Sequence, residues 1–486
     1  MAINFKGLYI GGQWVNTASH FDDLNPADGA VWATVPDATM TETVMAIRAA
    51  HDGFKAWAAL PFQERSNYML KVASVIERRK NDLVEALRHE GGGWIGKGMF
   101  EAGYVPEVFH SAAASNYAAI GEVLPSENNK FSLAVRRPMG VITCISPWNF
   151  PALLTARGIA FALAAGNAVV LKPSEETPYT GGLFFAEVFE EAGVPAGVLN
   201  VITCSRSRVQ AIGDELIDHP AIKGITFTGS TAVGRVIAAR AGAHLKKACV
   251  ELGGKDALII CEDADLDRAV KAANFGSFMH QGQICMSVEK VLVHEKIFDR
   301  FLPAFIERAK ALKVGDPSRD PASIIGPLIN DKQAARVKEQ IEDAVAKGAK
   351  IALGGGVNGR FVEPTILLNV TRDMLVYRDE TFGPVVPVIP FSTDEQAIAI
   401  ANDTEYGLSS GVITRDESRG LAIAQGLETG MCHINCSSVN DEPHVPFGGS
   451  KASGLGRHGG RWSHETFTET RWVTLDRGGR PFPPQF

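Results

Sequence analysis

The stretch V141-I-T-C-I-S-P-W-N-F150 decides the fold. A β-branched run stops at Pro147, and a segment of helical pattern begins at Pro151. Four further short apolar runs follow: AVVLKP (168–173), GVLNVIT (197–203), GITFTG (224–229) and KKACVEL (246–252). Helical patterns start between them near Pro151, Pro178, Ser207 and Ser230. Strands and helices alternating at this spacing predict βαβ units and a parallel sheet, with right-handed crossovers placing helices on both faces.

Outward from this core, residues 39–90 read as helical, with Met69, Val72, Ala73 and Ile76 at three- and four-residue spacing. Ser111 to Ile120 is a further helical candidate, and Lys130 to Arg137 reads as extended. A second α/β region runs from about Ala257 to Gly430, where a helix at Gln333 to Lys347 alternates with VLVHE (291–295), KIALGG (350–355) and GVIT (411–414). FTETRWVTL (467–475) alternates like a strand.

A chain of 486 residues can bury cores without disulfide staples. Its net charge of −7 argues against nucleic acid as the main partner. The seven cysteines are scattered and odd in number, which gives neither a disulfide framework nor a metal site. Reduced thiols in the cytoplasm are the simplest reading. No signal peptide is apparent, and the most apolar stretch, Ile159 to Leu171, is too short to span a bilayer.

Six segments can carry chemistry. Cys285, in GQICMS (282–287), offers the best neutral-pH nucleophile among side chains, although a lone cysteine is more often buried structure. Asn149, in PWNFP (147–151), falls where a strand ends and a helix starts, and its amide can donate to a developing oxyanion. As a bland alternative it caps a proline-bounded turn. Glu251, opening ELGGK (251–255), ends the fifth predicted strand and can serve as a general base for water. Gly229 and Ser230, in FTGSTAVG (227–234), join a strand to a helix whose free N–H groups suit a phosphate. Lys172 and Glu175, in KPSE (172–175), and Glu380, in ETFGPV (380–385), are charges that can hold ribose hydroxyls.

Taken in order, PWNFP, KPSE, FTGS, ELGGK, GQIC, ETFGPV and PFGGSKASG (446–454) resemble the aldehyde dehydrogenase superfamily along nearly the whole chain. The resemblance implies Cys285 as nucleophile, Glu251 as general base, and an oxyanion hole of the Asn149 side chain and the Cys285 backbone N–H. It places Trp148, Lys172, Glu175, Gly229, Ser230, Glu380 and Phe382 around the cofactor. It implies an α/β fold with a Rossmann-like parallel-sheet NAD-binding domain (1–120 and 141–251) and a second α/β catalytic domain (252–450). A β-strand oligomerisation arm (121–140 and 460–486) completes it, for a homodimer or homotetramer. Retention of Glu251 favours hydrolysis over acyl transfer to coenzyme A. Glu175 can accept from a ribose diol and repels a 2′-phosphate, so NAD is expected, with NADP the alternative.

EGGGWIGK (90–97), SFMHQGQICMS (277–287) and NDEPHVPFGG (440–449) resemble the benzaldehyde, salicylaldehyde and vanillin dehydrogenase group. A helix after Asn149 turns Phe150, Leu153, Leu154 and Arg157 along one face, and Met279 and Phe447 add apolar wall. Such a pocket suits a flat aldehyde. Arg157 either anchors a ring hydroxyl or carboxylate, or pairs with an acid that shapes the wall; the second is expected. The competing functions are an aliphatic aldehyde or semialdehyde dehydrogenase and a non-catalytic scaffold.

Overall fold

Residues 3–118, 121–127, 129–478 and 482–485 are described in a computed structural model. The segment quoted first supplies the strand Val141–Ile145, which lies inside an eight-stranded sheet. Its neighbours on one side are Ala168–Lys172 and Leu199–Val201, and on the other Ile222–Thr228 and Lys247–Glu251, all parallel. The chain therefore builds outward in one direction, returns, and builds outward in the other. The reversal falls between Val141–Ile145 and Ile222–Thr228, and in open parallel sheets ligands bind outside the carboxyl ends of strands at such a switch point. PWNFP and FTGS leave those two strands side by side. Short antiparallel strands finish the sheet: Leu8–Ile10 and Gln13–Val15 at one end, Gly454–Leu455 at the other.

The second region forms a seven-stranded sheet in the order 350–353, 365–368, 385–391, 288–294, 256–260, 410–413, 433–434. It is parallel except for Lys350–Leu353, which runs antiparallel to Thr365–Leu368. A three-stranded antiparallel sheet of Gly121–Leu124, Lys130–Pro138 and Thr468–Asp476 stands apart from both.

Several boundaries differ from the sequence reading. The helical stretch 39–90 is three helices, Met40–Ala59, Phe62–Arg78 and Lys80–Gly91, broken at Leu60-Pro61 and at Arg79. The helix expected at 111–120 is instead the end of Ile95–Ser115; Gly96, Gly98, Gly103 and Pro106 disguised its start, and residues 119 and 120 lie outside the described residues. So do 128, 479–481 and 486 of the expected arm. The run at 197–203 pairs only over Leu199–Val201.

The helix Pro151–Ala164 is buried along its whole length. Its small residues explain how it fits against the sheet: a Cβ on Gly158 would stand 2.6 Å from Cys144 Sγ. This close packing fixes the helix, and with it the turn at Asn149 that precedes it.

Candidate active site

Two cavities meet at Cys285. The first is a cleft of about 620 Å³ at the carboxyl ends of the first sheet, lined by Trp148, Asn149, Gly229, Ser230, Glu251, Glu380 and Phe382 among others. The second is a tunnel of about 1060 Å³, lined by Phe150, Leu153, Leu154, Arg157, Met279 and Phe447 together with Trp94, Phe100, Phe275 and Asp441. Cys285, Asn149 and Leu154 line both.

Cys285 follows a left-handed turn: His280, Gln281 and Gly282 have φ of 50°, 56° and 70°. A Cβ on Gly282 would lie 2.2 Å from Gly383 O, so this approach needs glycine. Asn149 is 4% exposed, and its Nδ2 donates to Gln283 O at 3.0 Å, which ties the amide to the turn that leads to the thiol. Glu251 is buried at the end of its strand, and neither carboxylate oxygen has a hydrogen-bond partner. Burial raises its pKa to about 7, against the opposing pull of Arg157 and the neighbouring Cys285 thiol. Burial, and then the charge of Glu251, push the Cys285 thiol well above its ordinary range. Two proton-holding groups therefore face one another where the cavities meet, and one of them titrates near neutrality. A carboxylate so placed can take a proton from the thiol or from a water.

The cleft has the features of a dinucleotide site. Ser230 caps the helix Thr231–Ala243, accepting from Val233 N at 3.4 Å, so the positive helix end opens toward the cleft beside Gly229. A Cβ on Gly253 would stand 2.4 Å from Glu380 Oε1, so a larger residue there would displace the Glu380 carboxyl. Trp148 and Phe382 meet edge to face at 5.4 Å. Phe382 has φ of 53°, and its loop is moored from below: Glu289 accepts from Thr381 N at 2.8 Å and from Phe382 N at 2.9 Å, and Lys255 Nζ meets Glu289 at 2.6 Å. Burial, with Glu289 adding to it, raises the Glu380 carboxyl to about 8.

Lys172 and Glu175 are not brought to this cleft lining. Lys172 is buried and donates to Pro173 O at 3.0 Å, with Glu175 Oε2 at 3.9 Å. Glu175 also meets Arg206 Nη2 at 3.1 Å. Arg157 lies in the tunnel wall as an ion pair with Asp441, its guanidinium 3.9 Å from the Phe447 ring centroid. The Tyr104 side chain completes the cluster.

Sequence reasoning missed Gln333 and Arg336, which line the cleft. Gln333 Nε2 donates to Thr381 O and Phe382 O, and Arg336 Nη2 to Glu380 O. They act on backbone carbonyls of a distant loop, which leaves no local motif. Phe275 was within reach, because it stands four residues before Met279 on the same side of a helical repeat. Among the described residues, no group of three or more His, Cys, Asp or Glu side chains could hold a metal ion, and no helix is long and apolar enough to cross a membrane.

A thiol, a carboxylate and an amide converging between a dinucleotide cleft and an apolar tunnel define an aldehyde-oxidising enzyme. The aldehyde dehydrogenase family model matches residues 14–473, and this chain belongs to that family, whose members use NAD or NADP. It is 44% identical over 479 residues to a benzaldehyde dehydrogenase of Bacillus subtilis, covering 98% of each chain. It is 42% identical to a vanillin dehydrogenase of Pseudomonas fluorescens, covering 98% of this chain and 99% of that one. A crystal structure of a salicylaldehyde dehydrogenase from Pseudomonas putida G7 complexed with salicylaldehyde superposes with a TM-score of 0.97 at 40% identity, covering 99% of this chain and 100% of that one. The mixed α/β architecture is thus the family's own.

Proposed function

We propose that this enzyme oxidises aromatic aldehydes to carboxylic acids, with NAD as the preferred cofactor, water as the acyl acceptor and Cys285 as nucleophile. The observation that carries the reading is that Cys285 lies where the cleft at the strand ends and the apolar tunnel meet. A flat ring fits the tunnel, and its aldehyde carbon then reaches the thiol. The named relatives, which are benzaldehyde, vanillin and salicylaldehyde dehydrogenases, support the same substrate class.

Glu251 takes the thiol proton, and the Cys285 thiolate adds to the aldehyde carbon. The Asn149 Nδ2–H and the Cys285 N–H stabilise the oxyanion that forms; loss of one such donor costs roughly 3–4 kcal/mol of barrier. Bound in the cleft, the nicotinamide cofactor would supply the hydride acceptor. Trp148, Gly229, Ser230, Glu380 and Phe382 would hold it there, with Lys172 and Glu175 at its adenosine end. The cysteine is left as a thioester. Glu251, its carboxyl titrating at about 7, gives up the thiol's proton to solvent through the cleft and, again a carboxylate, takes a proton from the water that adds to the thioester; the acyl–sulfur bond breaks, the acid leaves and the Cys285 thiolate is restored.

An acidic semialdehyde is disfavoured, because Asp441 already neutralises the one cation of the tunnel wall named above. The test is cofactor reduction with benzaldehyde, vanillin, salicylaldehyde, hexanal and succinic semialdehyde, each with NAD and NADP, alongside Cys285→Ala. Aromatic aldehydes should lead, and Cys285→Ala should be inactive. Preference for hexanal would sink the aromatic assignment, and activity surviving in Cys285→Ala would refute the covalent route.

The three-stranded sheet is the surface for self-association. It exposes Val123, Trp472 and Leu475, at 67%, 71% and 55%, on a small sheet whose Thr468–Asp476 strand is an open edge. A second copy of the chain covers it in a homodimer or homotetramer; a monomeric mass in solution would remove this assignment. The free thiols fit the reducing cytoplasm, which fractionation against cytosolic markers checks.

A further inference from the structure

Behind Asn149 lies a buried ion pair that the chemistry above does not use. Lys97 and Glu101 sit one turn apart on the helix Ile95–Ser115 and are 1% and 0% exposed. Lys97 Nζ donates to Glu101 Oε2 at 2.5 Å. The other carboxylate oxygen, Oε1, accepts from Ala152 N at 2.8 Å and Leu153 N at 3.0 Å. These are first-turn N–H groups of the helix that begins at Pro151, whose own N-cap position, Phe150, makes no side-chain cap bond. The cap is thus supplied by a carboxylate about fifty residues away. Unpaired N–H groups here would be buried, which is costly, and a negative charge at a helix N-terminus is favourable.

The same pair also grips the residue between the cap and Asn149. Lys97 Nζ stands 4.6 Å from the Phe150 ring centroid, and the His280 ring packs against that ring from the nucleophile turn, edge to face at 5.4 Å. Burial keeps His280 well below its ordinary pKa, so a neutral ring fills this space. Asn149 is therefore held on one side by Gln283 O and on the other by Phe150 and the capped helix. A misplacement of about 1 Å in such a donor can cost about a hundredfold in rate.

We infer that the Lys97–Glu101 pair positions the Asn149 amide for the oxyanion, with Glu101 acting through the first turn of the 151–164 helix and Lys97 holding that carboxylate in place. Glu101 is a positioning residue and touches no reacting atom. The inference rests on the proposed oxyanion role of Asn149, so the test includes Asn149→Ala itself.

The experiment compares two neutral replacements in the full-length enzyme, with benzaldehyde and NAD. Lys97→Met/Glu101→Gln keeps an acceptor for Ala152 N and Leu153 N; Lys97→Met/Glu101→Leu removes it. The single-turnover rate of cofactor reduction should fall about tenfold or more in the Leu pair, and the Gln pair should stay within about threefold of the parent. NADH affinity, read by fluorescence, should stay within about twofold in both, because the cofactor cleft is untouched. In an Asn149→Ala background the Leu pair should lower the rate by less than about twofold more, since the effect it interrupts is already gone. If the Leu pair does not fold, Glu101→Asp carries the same cycle: its shortened carboxylate should slow the step about three- to tenfold, and only while Asn149 is present. A Leu pair at the parent rate overturns the inference. So does a loss that persists in full without Asn149, or one matched by weaker NADH binding. If Asn149→Ala alone keeps the parent rate, the oxyanion assignment fails instead.

Discussion

The cleft and the tunnel share Cys285, Asn149 and Leu154, yet they are built on different principles. The cleft is made where strands end and a helix begins. Its shape comes from backbone: glycines at 229 and 253, the capped helix at Ser230, and a loop at 380–382 hung from Glu289, Gln333 and Arg336. The tunnel is made of side chains projecting from one face of the 151–164 helix and from remote segments around Phe100, Phe275 and Asp441. Backbone architecture of the first kind tolerates few residue types. Side-chain walls of the second kind can be repacked while the chemistry at their inner end stays put. On the proposed function, the chemistry and the choice of substrate belong to separate parts of one molecule, joined at the thiol.

The strongest test of that division acts at the junction. Glu251→Gln should lower kcat by roughly 10²–10⁴-fold with every aldehyde alike, because it removes a base common to all substrates. The parent's pH profile gives the sign. The working form is the carboxylate, the carboxyl titrates at about 7, and activity should rise with pH through that value. In Glu251→Gln this limb should vanish. A variant that lost one aldehyde and spared another would show that the junction also selects substrate.

A smaller effect belongs to the tunnel wall. Arg157→Leu leaves Asp441 buried without its partner, and removing one member of a buried pair costs about 3–5 kcal/mol of stability. The Tm should drop, and KM for benzaldehyde and vanillin should rise by similar factors, because the guanidinium shapes the wall against Phe447 and does not reach the ring substituent. Arg157→Leu/Asp441→Leu should recover much of the stability. A KM rise confined to hydroxylated benzaldehydes would assign Arg157 to substrate contact.

The same division governs what the sequence reveals. Strands at 141–146 and 224–229 and the junctions that follow them are readable because a turn that meets a ligand needs particular residues at fixed offsets. Asn149, Glu251 and Cys285 fall in such places. The wall was readable where it repeats along one helix, as in Phe150, Leu153, Leu154 and Arg157. Asp441 was not, since its partner is 284 residues away and only the fold joins them. Gln333, Arg336 and Glu101 were hidden for a related reason: each serves the backbone of another element. The helix at 95–115 was misjudged because glycines and a proline weaken the periodic signal that packing then overrides.

The smallest expected effect lies outside the cleft lining, just past the strand Ala168–Lys172. Glu175 is flanked by Lys172 at 3.9 Å and Arg206 at 3.1 Å, and Arg206 also meets Glu176 at 2.6 Å. A carboxylate between two cations still disfavours a 2′-phosphate, but less than it would alone, and Arg206 is exposed enough to turn toward such a group. Glu175→Gln should therefore shift the ratio of NADPH to NADH affinity toward NADPH by about three- to tenfold, with little change in the rate of the chemical step. Arg206→Ala should shift the ratio the other way. Fluorescence titration of each reduced cofactor reads both without turnover. If neither substitution moves the ratio, discrimination at the 2′ position lies elsewhere in the cleft, and the separation between a cofactor end that selects and a tunnel end that selects must be redrawn.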